Sequence, residues 1–592
     1  LIAIVSGLLG TLCFLSLPFL PVSQTTASVQ WPQNESGGSV TAPLMAHSPQ
    51  QGTGTVPCTL VGDLPDEGGI LFSTAPAGGE EATDRALFVR ASADTVDVVS
   101  RNRVIVSAPR DQVAAGECSQ LTVMAGPTHV EARFEGIDDA AGRVDSADLR
   151  PMVVGVYTDL PSDTVAPAGL EVTVDVDSRF TTDPTALKWV AIVIGLLATA
   201  VALWALHGLD QTDGRRARRF LPKDWFRIRL PDVAVIGTLG VWHIIGGNTS
   251  DDGYILTMAR AADPAGYMAN YYRWYGVPES PFGSPYYDLL TLFSHVSTAS
   301  PWMRLPALIA AILCWMVISR EVLPRLGRAA RTTPVAVWSA AAVFLAFWMA
   351  FNNGLRPEPV IALGALLTWV SVERAIATRR MLPFAVAVII ASFSLATGPT
   401  GLMAVAALIM GLRAVVRTVV VRGREIGSYL ALVAPVLASG TMVLISVFGV
   451  QTLASVLEAI RVRGAVGPNL NWFEEFVRYY YLMIPTVDGS LTRRLPVLLV
   501  LLCLVVVIGT LLRRGKVPGA ASGPVWRLVG VVVGTAFFMM FSPTKWTHHF
   551  GVYAGIGAAI AALGALAIAA SAVRTARNRT LFLGIILILL AL

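Results

Sequence analysis

Asn248-Thr-Ser-Asp-Asp-Gly-Tyr254, continuing as Ile255-Leu-Thr-Met-Ala-Arg260, places two adjacent acids directly after an apolar run. Most other acids of the chain lie outside its hydrophobic runs. A partly desolvated carboxylate at the boundary of membrane and water suits a base that takes a proton from an attacking hydroxyl. Asp251 or Ser250 could instead cap the helix that continues through Ile255 and Met258. The two roles can coexist, because Asp251 and Asp252 supply one residue for each.

Composition defines the class of protein. The chain has 592 residues, of which 54% are hydrophobic and 14% charged, and its mean hydropathy is +0.60. These averages predict a polytopic α-helical membrane protein. The net charge of +5 comes from short basic clusters between apolar runs, so we expect no nucleic-acid partner. Because the chain starts at Leu1 and stops inside an apolar run, we expect the N-terminal and membrane part of a longer protein.

Three regions follow from the pattern of polarity. Residues 1–21 are apolar over nearly the ~20 residues that a bilayer requires, which favours a first transmembrane helix over a signal peptide. Residues 22–185 contain alternating runs such as Glu171-Val-Thr-Val-Asp-Val176, which predict a β-sandwich that either binds glycans or acts as a scaffold. Residues 186–592 hold about twelve further spans, including one from Leu495 to Leu512.

Basic residues orient these spans. Every even-numbered span is followed by arginines, as in Arg325, Arg328 and Arg331, so those loops are expected in the cytoplasm. The β-rich region and the Asp251 stretch then lie outside the plasma membrane. Cys58 and Cys118 share this external region, where a disulfide between them is an open alternative to two free thiols.

Further external loops carry candidate ligand-binding residues. Gly266 to Tyr275 is rich in aromatic residues that suit either sugar rings or the headgroup zone, and it contains Asn270. Glu279 is a second nearby acid, for which surface exposure is the ordinary alternative. Arg356 suits a phosphate, or else an ion pair with Glu358 or a lipid headgroup.

A compact cluster, Lys545, Trp546, His548 and His549, suits hydrogen bonding to a sugar or phosphate. Adjacent histidines make a weak metal site without further ligands, so we expect no divalent metal here. Extra positive charge in the loop before Leu495 favours an anionic lipid donor. It comes from Arg461, Arg463, Arg478, Arg493 and Arg494.

Several strings resemble a known family, the Emb arabinosyltransferases of mycobacteria and related actinobacteria, which are the targets of ethambutol. They are Ser250-Asp-Asp-Gly-Tyr-Ile-Leu-Thr-Met-Ala-Arg260, Ala265-Gly-Tyr-Met-Ala-Asn-Tyr-Tyr-Arg-Trp274, Gly354-Leu-Arg-Pro-Glu-Pro359, Thr397-Gly-Pro-Thr-Gly401 and Pro543-Thr-Lys-Trp-Thr-His-His-Phe-Gly551. The stretch around Tyr254 looks most like the C paralogue, associated with lipoarabinomannan. Two departures, Gly283-Ser-Pro-Tyr-Tyr287 and Asn352 in place of Asp, concern only acceptor preference.

The resemblance implies a GT-C glycosyltransferase with an external jelly-roll domain. Such an enzyme transfers D-arabinofuranose, with inversion, from decaprenylphosphoryl-arabinose to the arabinan of lipoarabinomannan or arabinogalactan, and works as a homodimer or a heterodimer with a paralogue. It also implies specific roles. Asp251 matches the catalytic acid and Arg356 a phosphate contact, while Ile255 and Met258 match the inhibitor pocket; Glu279, Trp546 and His548 match donor and acceptor contacts.

We also expect Asp252, Tyr254, Asn270, Glu358, Lys545 and His549 to contribute to the donor and acceptor site. Two rival functions remain. A GT-C mannosyltransferase would use polyprenyl-phosphate mannose. A transporter of lipid-linked glycans would show charged residues within its spans and repeat symmetry.

Overall fold

The computed structural model describes the chain except for residues 25–26, 34–36, 43–48, 146–148, 162–164, 178–179, 181, 213–220, 223–224, 266–283, 573–575 and 592. Two compact units emerge. One comprises Leu1–Val22, Pro184–Pro264 and the described part of Glu279–Leu592, and the other comprises Ser23–Asp183. The predicted combination of a polytopic helical membrane protein with an inserted β-sandwich is confirmed.

The β-rich unit is built from antiparallel strands. Its strands and short helices are β1 (Val22–Gln24), β2 (Ala27–Trp31), β3 (Val40–Thr41), β4 (Pro49–Pro57), β5 (Gly69–Ser73), α2 (Ala82–Arg85), β6 (Leu87–Ala91), β7 (Thr95–Ser100), β8 (Arg103–Pro109), α3 (Arg110–Ala114), β9 (Gln120–Ala125), β10 (His129–Glu135), β11 (Ala141–Asp145), β12 (Gly155–Val156), β13 (Glu171–Val176) and β14 (Thr182–Pro184). A six-stranded sheet has the order β11-β10-β9-β4-β13-β2, and a four-stranded sheet the order β5-β6-β7-β8.

Alternation of side chains explains the sandwich. In β13, Val172, Val174 and Val176 are buried while Glu171 and Asp175 are exposed, as expected for a strand with one face on the core. Val172 shares its hydrophobic cluster with Phe72 of β5, which belongs to the other sheet. The two sheets therefore enclose one apolar core.

Cys58 and Cys118 form a disulfide, with Cα atoms 5.8 Å apart. Both residues are buried in the core of the β-rich unit. The bond closes a loop of 60 residues. This resolves the alternative that the sequence left open.

The membrane unit is a bundle of helices. They are α1 (Ile2–Ser16), α4 (Ala186–Leu209), α5 (Leu230–Ile245), α6 (Asp252–Ala265), α7 (Ser284–Ser294), α8 (Ser300–Met303), α9 (Leu305–Val317), α10 (Leu323–Leu326), α11 (Arg328–Thr332), α12 (Pro334–Phe351), α13 (Glu358–Thr378), α14 (Leu382–Thr397), α15 (Leu402–Ile426), α16 (Leu430–Thr441), α17 (Leu444–Phe448), α18 (Leu453–Val466), α19 (Phe476–Met483), α20 (Leu491–Arg514), α21 (Ser522–Met539), α22 (Tyr553–Ala572) and α23 (Ala576–Ala591).

Within the described residues, ten helical segments are long and apolar enough to cross a membrane, and α5 and α14 are shorter apolar helices. Small residues allow close packing. A Cβ on Gly10 of α1 would lie 2.6 Å from Thr199 Oγ1 of α4, so a larger residue at this position would require Thr199 to move. The alanine-rich α22 is largely buried in the bundle.

Two expectations about charge need correction. Ion pairs occur within the helical bundle, where we expected charges to collect in loops: Arg320 binds Asp232 at 2.5 Å in a fully buried pair, and the partly buried Arg527 binds the buried Glu373 at 2.5 Å. Helix α20 also begins at Leu491, four residues before the predicted start, so Arg493 and Arg494 belong to its first turn. Paired arginines are compatible with a helical environment, which is why hydropathy alone misplaced this boundary.

Candidate active site

Asp252 ties two loops of the membrane unit together. It is the first residue of α6, and its carboxylate accepts hydrogen bonds from Thr249 N at 2.9 Å, Thr249 Oγ1 at 2.5 Å and Leu355 N at 2.8 Å. The bond back to Thr249 N, three residues earlier, satisfies a backbone donor at the helix start. Asp252 is buried and fully engaged. Its role is therefore positional.

Asp251 faces the neighbouring loop instead. Its Oδ2 accepts from Arg356 Nε at 2.6 Å and lies 2.5 Å from Arg356 Nη2, which also donates to Ser250 Oγ at 3.2 Å. The Asp251 side chain is 25% exposed and that of Arg356 only 6%. Arg356 thus forms its ion pair with Asp251, whereas the alternative considered from the sequence was Glu358. Nη1 of Arg356 is buried without a hydrogen-bond partner among the described residues.

Glu358, His548 and His549 form a second cluster. One carboxylate oxygen and one nitrogen of each ring lie within 4.8 Å of one another. Glu358 and His549 are buried, His548 is half-buried, and Oε2 of Glu358 has no hydrogen-bond partner in the described part of the chain. The histidine rings meet edge to face at 4.5 Å between centroids.

The donor set of this cluster does not suit a metal ion. Nδ1 of His549 lies 2.6 Å from Nη1 of Arg478. Because a guanidinium only donates, Nδ1 must accept, which assigns the ring proton to Nε2 and leaves that atom without a lone pair for a cation. The positive charges of Arg356, Arg478 and Arg493 also act on His548. A divalent cation would therefore find no lone pair on Nε2 of His549 and would be repelled by these arginines.

Arg478 organises the loop that carries the histidines. This fully buried side chain binds Glu475 at 2.7 Å through Nε, Trp546 O at 2.7 Å through Nη1 and Ser542 Oγ at 2.8 Å through Nη2. It therefore fixes backbone and side chains rather than adding free positive charge for a lipid donor. The sequence offered no signal for the bonds to Trp546 and Ser542, which lie 68 and 64 residues further along the chain.

Lys545 also supports this loop. Its Nζ donates to Met540 O at 2.6 Å and Ser542 O at 2.8 Å and lies 3.5 Å from Glu475 Oε2. These three partners occupy its three donors. Burial lowers the pKa of the Lys545 amine, and the charge of Glu475 opposes that shift. The predicted contact of Lys545 with a sugar or phosphate has no donor left to make it.

Arg493, in the first turn of α20, supports the same region. Its Nη1 donates to Asp488 Oδ1 at 2.6 Å and Thr547 Oγ1 at 3.2 Å, and its Cζ lies 5.5 Å from the ring centroid of Phe351. The charges of Arg356 and Asp251 act on it. Asp488 was not predicted as a functional residue. Its partner Thr547 follows it by 59 residues, beyond the reach of any local pattern.

Trp546 presents an aromatic surface. Its ring stacks on Tyr481, with centroids 5.5 Å apart and planes inclined by 17°, and the residue is 39% exposed. Half-exposed aromatic faces suit sugar rings. Asn352, where the resemblance implied Asp, donates from Nδ2 to Gly551 O at 3.0 Å, a bond that a carboxylate could not donate.

The predicted inhibitor-pocket residues lie in a core. Ile255 and Met258 are both 1% exposed, and Ile255 packs with Tyr286 and Leu355 while Tyr254 covers the cluster from outside. Burial raises the pKa of the Tyr286 hydroxyl, and the charges of Asp252 and Glu358 raise it further. Asn270, Glu279 and the aromatic run between Gly266 and Tyr275 lie outside the described residues.

Comparison with known proteins gives consistent matches. Residues 183–592 match the family described as mycobacterial cell wall arabinan synthesis protein, and residues 23–179 match the arabinosyltransferase concanavalin-like domain. The chain is 52% identical over its whole length to probable arabinosyltransferase B of Mycobacterium avium, and 48% to probable arabinosyltransferase C of Mycolicibacterium smegmatis, covering 56% of each. It therefore spans about half the length of these relatives.

A solved structure agrees. The cryo-EM structure of arabinosyltransferase EmbB from Mycobacterium smegmatis superimposes with a TM-score of 0.80 at 45% identity, covering 99% of this chain and 54% of that one. Among the relatives compared, those named B reach 52% identity and those named C 48%. The particular likeness to the C paralogue that was predicted around Tyr254 is not the stronger one over the full length.

Proposed function

The chain belongs to the family of mycobacterial cell wall arabinan synthesis proteins, and from that premise we propose that it is a membrane arabinosyltransferase. It transfers D-arabinofuranose from decaprenylphosphoryl-arabinose to a growing arabinan of lipoarabinomannan or arabinogalactan. The active site is the region around Asp251, Arg356 and the histidine loop, on the extracytoplasmic face of the plasma membrane. The partners are the lipid donor, the arabinan acceptor and a second copy or paralogue.

One observation carries this proposal. The guanidinium of Arg356 holds Asp251 with Nε and Nη2, while Nη1 is buried and has no partner among the described residues. A buried, unpaired donor on a cation suits a phosphate oxygen. The same side chain can thus hold the base on one side and the leaving phosphate on the other.

The chemistry is a single displacement. Asp251 takes the proton of the acceptor hydroxyl, whose oxygen attacks the anomeric carbon and forms the new glycosidic bond. The bond from that carbon to the phosphate oxygen breaks, and its electron pair leaves with the polyprenyl phosphate. Arg356 offsets the charge that develops on the phosphate, so the departure needs no separate acid.

Neighbouring residues support this reaction. Asp252 fixes the loop that carries Asp251, and Trp546 offers a stacking face for a furanose ring. We propose that no metal takes part, because the Glu358 and histidine cluster is surrounded by cations and His549 has no free lone pair on Nε2. The proposed reaction then requires no cofactor besides the lipid donor itself.

The decisive experiment is transfer by the purified chain in nanodiscs. Labelled polyprenyl-phosphoryl-arabinose is offered with a short arabinan acceptor, and the product is analysed for linkage and anomeric configuration. Wild-type protein should form an inverted arabinosyl linkage, and Asp251→Asn should abolish it while still binding donor. Full activity of that variant would overturn the role of Asp251. Preferential use of polyprenyl-phosphate mannose would instead favour the mannosyltransferase alternative.

A further inference from the structure

We propose that helix α19 and the 3₁₀ turn Trp472–Glu475 before it lie in the headgroup zone of the membrane and contact lipid through an exposed aromatic face. This surface, the aromatic face of α19, consists of Trp472, Phe473, Phe476, Tyr479, Tyr480 and Met483. Its partner is the bilayer that surrounds the spanning helices, so the contact does not depend on the proposed transfer reaction.

The spacing of the exposed residues defines one side of α19. Phe476, Tyr479, Tyr480 and Met483 follow the i, i+3, i+4, i+7 pattern of a single helical face, and all four are exposed. Phe476 is 66% exposed and Tyr480 is 60% exposed. A helix that faces water carries polar side chains on its outer side. A contiguous aromatic surface instead indicates contact with a membrane or with a partner.

The opposite side of α19 is attached to the protein. Arg478 and Leu482, four residues apart, are both buried. Nη2 of Arg478 donates to Ser542 Oγ at 2.8 Å and to Met539 O at 3.3 Å. The buried side of the helix thus carries an arginine and the exposed side carries aromatic rings. This arrangement is the reverse of that in an ordinary surface helix of a soluble protein.

Contacts with the ends of membrane-spanning helices locate α19. Met539, which accepts from Arg478, is the last residue of α21, and α21 is long and apolar enough to cross a membrane. Leu470 N, just before the aromatic face, donates to Pro543 O at 2.9 Å, four residues beyond the end of α21. The spanning helix α20 begins at Leu491, eight residues after the end of α19. A segment joined to the ends of two spans lies where the bilayer meets water.

The residue types of the aromatic face suit that depth. Trp and Tyr are enriched at membrane interfaces, because their rings enter the apolar zone while their polar tips stay hydrated. An interfacial helix buries its apolar face about 5–10 Å into the boundary between headgroups and acyl chains. The two acids of this segment are held within the protein: Asn471 N donates to Glu474 Oε2 at 2.6 Å, and Glu475 pairs with Arg478 at 2.7 Å. Neither carboxylate belongs to the aromatic face.

The same face is poorly suited to a glycan. Sugar sites combine a stacking ring with several polar groups that converge on the hydroxyls of the ligand. Among the six residues of the aromatic face, the polar groups are the hydroxyls of Tyr479 and Tyr480 and the indole N–H of Trp472. Lipid is therefore the occupant that the composition favours.

The test maps lipid contacts by photocrosslinking. The full chain is placed in phosphatidylcholine nanodiscs that contain one of two diazirine lipids, with the reactive group either in the headgroup or at the end of an acyl chain. Mass spectrometry then locates the lipid adducts. Val505, an exposed residue inside the spanning helix α20, is the reference for contact with acyl chains. No substrate is present, so the result is independent of transfer activity.

We expect the headgroup probe to form adducts on residues 472–483 and the acyl-chain probe to form few there, with the reverse at Val505. A double variant, Phe476→Ser with Tyr480→Ser, should lose most adducts from this stretch. The matched control, Phe226→Ser with Ile228→Ser, removes two exposed apolar side chains outside the aromatic face and should keep the adducts. Thermal unfolding should show that both double variants are folded, because the replaced side chains are exposed.

Three results would overturn the proposal. The first is absence of headgroup-probe adducts on residues 472–483 while Val505 reacts with the acyl-chain probe, which would mean that water or protein covers the aromatic face. The second is stronger labelling of this stretch by the acyl-chain probe than by the headgroup probe. The third is unchanged labelling in the Phe476→Ser, Tyr480→Ser variant. Each would leave the proposed transfer reaction to its own experiment.

Discussion

Arg356 directs Nε and Nη2 to a single oxygen of Asp251, at 2.6 and 2.5 Å. In the proposed reaction, the other carboxylate oxygen takes the proton of the acceptor hydroxyl. The position of the proposed base is therefore set by the side chain that also carries an unpaired Nη1. The two proposed functions, activation of the nucleophile and binding of the leaving phosphate, would therefore depend on the same side chain.

This link predicts coupled effects of mutation. Asp251→Asn should lower kcat about 100-fold to 10,000-fold, the usual contribution of a general base, with little change in donor affinity. Arg356→Lys should lower kcat similarly and also weaken donor binding about tenfold, because an ammonium cannot bridge both groups. Steady-state kinetics and donor binding measure both effects. The double variant should lose little more kcat than Asp251→Asn alone, and strictly multiplicative losses would contradict the link.

Gly354 supplies a test of the loop geometry. A Cβ at this position would lie 2.4 Å from both Asp252 Oδ1 and Thr249 Oγ1, so the hydrogen bonds that fix Asp252 would have to break. Gly354→Ala should destabilise the protein by about 1 to 3 kcal/mol, the usual cost of overpacking, and lower transfer activity. Thermal unfolding and kcat are the measurements.

Gly253 is the matched control, because nothing lies within 4 Å of a Cβ built there and the residue is in helix α6. Gly253→Ala should keep the melting temperature at or slightly above the wild-type value. If both variants melt alike, the close approach at Gly354 is not what holds Asp252.

Much of the architecture is readable from the sequence. Alternation in Glu171 to Val176 predicts a strand with one buried face, and the structure places Val172, Val174 and Val176 inside. Long apolar runs predict where the long helices lie, although hydropathy misplaced the start of α20. Both patterns are local, so a single sequence suffices to find them.

The site was only partly predictable. Asp251 and Arg356 were each recognisable as candidates, but their pairing spans 105 residues and cannot be read from either loop. Lys545 illustrates the same difficulty. Its sequence context suggests a ligand-binding cation, but the three donors of its Nζ are engaged by Met540 O, Ser542 O and Glu475. Contacts between residues that are far apart in the sequence determine which charged side chains remain available to a substrate. A hydropathy profile does not reveal those contacts.

The disulfide predicts a redox effect confined to the β-rich unit. In the chain-entropy treatment, closing a loop of 60 residues contributes about 4 kcal/mol. Changing Cys58 and Cys118 together to Ala should expose cleavage sites within residues 23–183 to limited proteolysis, mapped by mass spectrometry. Dithiothreitol should produce the same pattern in wild type and no further change in the double variant. Unchanged proteolysis on reduction would show that the core holds without the bond.

Two arginine–glutamate pairs with the same sequence spacing distinguish the effect of burial on stability from the effect of charge. Arg478 and Glu475 are 0% and 12% exposed, whereas Arg461 and Glu458, also three residues apart, are 68% and 32% exposed. Arg478→Met should destabilise the protein by about 3 to 5 kcal/mol, because it strands Glu475 and several carbonyls in a buried setting. Arg461→Met should leave the stability close to that of wild type, as removal of an exposed ion pair usually does. Chemical or thermal unfolding in nanodiscs compares them directly, and Arg478→Met should also reduce transfer by releasing His549. Equal destabilisation by the two variants would mean that Arg478 acts only as a surface charge, and would remove the basis for assigning the tautomer of His549.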